Sequence, residues 1–201
     1  MKIFEPAMRH LLDTYIRAEE TETLSRFDDH TLVDLILQQG PGAIDTLPDG
    51  IKRNEDAVAS TIENNVRKLI IDESAVNPKY YERMSELLDA LIQQRKQRAL
   101  NYKEYLAKIV ELAKHAKQPH TSTAYPDRIA TPALQALYDN LDGNEPIALA
   151  VDQAIRDNRL DGWRSNRFKQ RKLRNAIKTA LGPHTDRTDE IFEIVTNQRE
   201  Y

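Results

Sequence analysis

The chain has 201 residues, with 29 Lys and Arg against 32 Asp and Glu for a net charge of −3, six Gly, nine Pro and no Cys. That length allows one sizeable core or two small ones, removing about 70% of the unfolded surface from water. The missing cysteines exclude a disulfide scaffold and a thiolate metal site. No apolar run approaches the roughly 18 residues that span a bilayer, and the N-terminus lacks a signal-peptide pattern, so a cytoplasmic protein with no membrane partner is expected.

Met8, Leu11, Leu12, Tyr15 and Ile16 recur at helical spacing after Pro6 and run into the acidic residues Glu19, Glu20 and Glu22. Leu32, Leu35 and Ile36 mark a second helix, stopped by Gly40-Pro41-Gly42. A turn around Ile44 and Leu47 follows. Asn54, with Glu55 and Asp56 in the first turn, starts a long helix that carries Val58, Ile62, Val66, Leu69 and Ile70 inward.

The segment 77–119 predicts two consecutive long helices around which the others pack. Asn77 suits an N-cap and Pro78 the first helical position, where a missing N–H costs nothing. Met84, Leu87, Leu88, Leu91 and Ile92 give one apolar stripe, and Arg95, Lys96 and Arg98 meet the negative end of the helix dipole. Asn101 with Glu104 resembles a capping box, opening a helix lined by Leu106, Ile109, Val110 and Ala113 and ended by Pro119.

Residues 118–130 form the only long segment without helical periodicity and the best candidate subdomain boundary. Thr131-Pro132 restarts a helix with Leu134, Leu137, Tyr138 and Leu141 on one face, stopped near Gly143. Asn144 caps another, with Ile147, Val151, Ala154 and Ile155. After Asp161-Gly162-Trp163 a basic helix runs to Leu181, and Thr188 caps a last helix bearing Ile191, Phe192 and Val195. No run alternates with a two-residue period. The expectation is an all-α, multi-helix globular domain of about 8 to 10 helices over residues 1–201, with a central pair of long helices and no sheet.

The distinctive chemistry lies in residues 162–185, which hold Arg164, Arg167, Lys169, Arg171, Lys172, Arg174 and Lys178 and no acid. On a helix, Arg167, Arg171, Arg174 and Lys178 make one stripe, with Leu173, Ala176, Ile177 and Ala180 opposite. Such a face can present guanidinium groups to a phosphate backbone or an acidic partner. A solvated amphipathic face is the ordinary alternative, but ordinary faces intersperse both signs. Trp163 could stack on a base, though a lone Trp at a helix start more commonly anchors a core.

Other candidates are weaker. His115 and His120 have no third ligand at metal spacing, and His10, His30 and His184 stand alone. Tyr80 and Tyr81 should divide into one buried and one exposed ring. No Gly precedes a Lys, so there is no phosphate loop, and no acid stands two residues before a Lys, as a common metal-dependent nuclease site requires. GxSxG and HExxH are absent too. No catalytic site is expected in this chain.

The phrases LLDTYIRAEE (11–20), ENNVRKLIIDESAVNPKYYERMSELLDALIQQRKQRALNYKEYLAKIVELAK (63–114), YPDRIATPALQALYDNL (125–141) and DGWRSNRFKQRKLRNAI (161–177) resemble the C-terminal region of the restriction (R, HsdR) subunit of type I restriction–modification enzymes. The resemblance covers nearly the whole chain and is most specific across 63–114 and 161–166. It implies a fragment of a larger enzyme, with the metal-dependent nuclease and the ATP-driven translocase lying upstream. Any ATP and Mg would then belong to the parent enzyme, and no cofactor is expected in the fragment itself. It also implies a helical domain that docks the motor subunit on the methyltransferase (M) subunit, close to double-stranded DNA. No family motif of catalytic residues maps onto these positions.

Overall fold

A computed structural model describes residues 55–117 and 125–201, all within one unit, Leu32–Tyr201. The expected helices at 8–16 and 32–36, the turn at 44–47, the acids Glu19, Glu20 and Glu22, and positions 118–124 of the expected boundary lie outside the described residues. What is described is all-α, with no strand among the described residues. No described helix is long and apolar enough to cross a membrane.

Helices α1 (Glu55–Glu73), α2 (Pro78–Lys96) and α3 (Tyr102–Lys117) pack on one another as a three-helix group. Val58, Ile62, Val66 and Ile70 of α1, Leu88, Leu91 and Ile92 of α2, and Tyr105, Ile109, Val110 and Ala113 of α3 are buried. The caps of α2 and α3 are as the sequence predicts, while Asn54, expected to cap α1, lies outside the described residues. Asn77 Oδ1 accepts from Tyr80 N at 3.3 Å with Pro78 next in line, and Asn101 Oδ1 accepts from Glu104 N at 2.9 Å.

Arg95 does more than meet the helix dipole. Its Nε donates to the buried Glu63 at 3.0 Å and its other nitrogen to Asp56 at 2.6 Å. The Tyr105 hydroxyl, under the same guanidinium, donates a hydrogen bond to Glu63 at 2.7 Å. A carboxylate taken out of water needs such partners.

Two expectations change here. Leu87 is 53% exposed, because it sits one position outside the stripe that Leu88, Leu91 and Ile92 bury. Tyr80 and Tyr81 are both buried, their rings edge to face at 5.2 Å. Their hydroxyls donate to the carbonyls of His115 and Ala116 at 2.8 and 3.0 Å. The last carbonyls of a helix have no partner within it, and the two phenols supply that need at the end of α3.

The second group comprises α4 (Pro132–Asn140), α5 (Glu145–Asn158), a 3₁₀ turn (Trp163–Ser165), α6 (Arg167–Leu181), a second 3₁₀ stretch (Gly182–Arg187) and α7 (Thr188–Asn197). Thr131 and Asn144 cap α4 and α5, accepting from Leu134 N and Ile147 N. Thr188 does not cap α7: it is already helical, and its hydroxyl donates back to the Thr185 carbonyl at 2.6 Å. One continuous core joins Ile129, Leu137, Val151, Ile155, Trp163, Leu173, Ile177, Ile191 and Tyr201. The short helix α4 is its axis, with Ala133, Leu134, Gln135, Ala136, Leu137, Asp139 and Asn140 all buried.

A polar clasp joins the two groups where α2 meets α4. Asp139 accepts from Asn77 Nδ2 at 2.8 Å, from the Tyr125 hydroxyl at 2.6 Å and from Arg83 at 2.8 Å. Asn140 Nδ2 donates to Asn77 Oδ1 at 2.8 Å, and its own Oδ1 accepts from Lys79 N at 3.2 Å. Gln198, beyond α7, reaches the Val76 carbonyl at 2.6 Å. Every polar group in this buried seam has a partner, the condition under which such a network rigidifies rather than weakens a core.

Candidate functional site

The basic segment folds in two pieces. Gly162, at φ +66°, takes the left-handed turn that leads into the 3₁₀ turn carrying Trp163 and Arg164. Asn166 then caps α6, its Oδ1 accepting from Phe168 N at 3.0 Å and Lys169 N at 3.2 Å. The helix therefore begins at Arg167, and Arg164 lies outside it. Leu173, Ile177 and Leu181 are fully buried against α5 and α7, so the opposite face looks to solvent.

Trp163 is core. It is 4% exposed, edge to face with Phe192 at 5.9 Å, under the Arg164 guanidinium at 4.6 Å. A base cannot reach that ring.

The seven cations divide. Arg164 donates to the carbonyls of Thr196 and Gln198, closing the end of α7. Lys169 donates to the Asp161 carbonyl. Arg174 pairs with Asp189 and lies 4.2 Å over the Phe192 ring. These three are committed to the fold. Arg167, Arg171, Lys172 and Lys178 are exposed and meet no carboxylate among the described residues. The stripe the sequence suggests thus loses Arg174, because α7 brings an acid to it, and gains Lys172.

Phe168 stands outside the charge pattern that singles out this segment in the sequence. It is 86% exposed, the most exposed large apolar side chain among the described residues. At about 100° per residue, it lies opposite Leu173 and Ile177, between Arg171 on one side and Lys172 on the other. A signal was available: a ring two residues past an Asn cap and outside the apolar stripe has nowhere to go but solvent.

A second surface lies on the first group. Leu87 overhangs a shallow, largely apolar groove between α2 and α3, lined also by Ala90, Leu91, Leu112, Lys108 and His115. No cluster of His, Asp or Glu fit to hold a metal ion occurs among the described residues. No family model, characterised protein or solved structure matches the chain.

Proposed function

We propose that this chain is a non-catalytic helical assembly domain of a type I restriction endonuclease R subunit, a cytoplasmic module docking the ATP-dependent motor and nuclease onto the methyltransferase core. Supporting it is the coincidence of the most family-like stretch, 63–114, with α1–α3, which leave Leu87 exposed over an apolar groove. An apolar groove between two helices is a shape that receives the apolar face of a partner helix. ATP and Mg would act upstream of these residues.

The test is competition. The 201-residue chain should displace full-length R subunit from purified methyltransferase core, and Leu87→Glu should weaken that displacement by roughly tenfold or more, since a charge enters an apolar contact. No displacement at a large molar excess overturns the reading.

A second reading is favoured by the four unpaired cations of α6: an accessory module that tracks the phosphates of DNA. Four contacts to duplex phosphates give a log–log salt slope of roughly −4. Reversing Arg167, Arg171 and Lys172 to Glu is expected to abolish retention on DNA while leaving the circular dichroism spectrum unchanged, as none of the three is held by the fold. Retention that ignores salt removes this reading.

A further inference from the structure

We propose that the outer face of α6 binds single-stranded nucleic acid, with Phe168 stacking on an unpaired base while Arg167, Arg171, Lys172 and Lys178 hold the flanking phosphates. The inference rests on the nucleic-acid reading of α6 and adds the form of the ligand.

The face has an unusual composition. The 86% exposed ring of Phe168 forgoes the stabilisation that burying such a side chain contributes. Its helical neighbours, one turn away, are Arg171 and Lys172, and Arg167 precedes it about 100° round the helix. The first turn of α6 carries Arg167 and Lys169 and no acid, against the sign that the helix dipole favours there. Positive charge is therefore concentrated at the end of α6 where the ring stands.

Protein hot spots set an aromatic anchor within a largely apolar, desolvated patch. Here the ring is surrounded by cations and the neutral Asn175. A ligand whose every unit carries both a flat face and an anion matches that arrangement, and a nucleotide is such a unit. Within a duplex the base faces are occupied by one another, so away from its two ends the ring has a face to stack on only where a base is unpaired. From Arg167 to Lys178 the face spans about 16 Å along the helix, room for a few nucleotides of an extended strand.

The test is fluorescence anisotropy of the 201-residue chain with a labelled 12-nucleotide single strand, the blunt duplex of the same sequence, and polyglutamate as competitor. The single strand should bind more tightly than the duplex. Phe168→Ala should weaken single-strand binding about 5- to 150-fold, the range for one base–aromatic stack. It should leave the salt slope and duplex binding unchanged, and Phe168→Trp should restore the affinity. Unchanged single-strand binding by Phe168→Ala, with duplex still retained, overturns this inference and leaves the phosphate-tracking reading standing. Retention of neither nucleic acid removes both. Displacement by polyglutamate as effective as by the unlabelled strand also overturns it, in favour of an acidic protein partner.

Discussion

Replacing Asp139 with alanine is expected to lower folding stability by roughly 3 to 4 kcal/mol. The carboxylate is buried and accepts from Asn77, Tyr125 and Arg83. Its removal strands the Asn77 amide and the Tyr125 hydroxyl, each orphaned donor costing about 1–3 kcal/mol, while the half-exposed Arg83 turns to water. Against the 5–15 kcal/mol that typically holds a domain together, that is a large fraction. Urea denaturation followed by circular dichroism measures it as a lowered midpoint. Arg83→Ala serves as the contrast and should cost under about 1 kcal/mol, because its guanidinium side is open to solvent. Equal losses for the two variants would mean that the salt bridge, and not the orphaned donors, carries the clasp.

The second large effect is alkaline unfolding. Burial, then the neighbouring Asp139, pushes the Tyr80 hydroxyl up to about 12. Burial raises Tyr81, Tyr105, Tyr125 and Tyr201 further, and the last three also donate to the carboxylates of Glu63, Asp139 and Asp152. A phenol held protonated by the fold contributes its full stabilisation below the ordinary value near 10. Above that value the unfolded chain sheds the proton and the folded chain keeps it. The unfolded state then binds fewer protons, so stability falls as pH rises. Each such tyrosine removes about 1 kcal/mol or more per pH unit, and five together remove several between about pH 10 and 11. Absorbance at 295 nm and far-ultraviolet dichroism, stepped upward from neutral pH, should therefore change together in one steep transition. Gradual phenolate formation from pH 10 with the helices intact would mean that water reaches these hydroxyls in the folded state.

Much of the helical architecture is legible in the sequence because its signals are local. Asn77, Asn101, Thr131 and Asn144 cap the helices that they precede, and three- and four-residue apolar spacing identifies what α1, α2 and α3 bury. What escapes a reading of the sequence is whatever depends on residues distant along the chain. Tyr80 and Tyr81 look like one buried and one exposed ring until the end of α3, 35 residues on, presents both with carbonyls. Asp139 and Asn140 look like the polar side of a surface helix, and only α2 makes them interior.

The candidate site shows the same division. Seven cations without an acid are plain in the sequence. That Arg164 and Arg174 serve α7, and that Phe168 instead holds the middle of the free face, follows from which side of α6 the core claims. No spacing of charges reveals that.

The clasp also imposes an order in time on a chain made from its N-terminus. Helices α1 to α3 hold most of one another's contacts within a stretch of 63 residues, 55–117. The Asn77 amide, however, waits for an acceptor 62 residues later, and the Val76 carbonyl for a donor 122 residues later. A nascent chain therefore gathers α1 to α3 while the seam beside them is still open to water, and Gln198 closes it last. Contacts of such separation slow folding, because the loop between their ends must close before they form. Whatever first meets the emerging three-helix group meets Asn77 with its amide unspent.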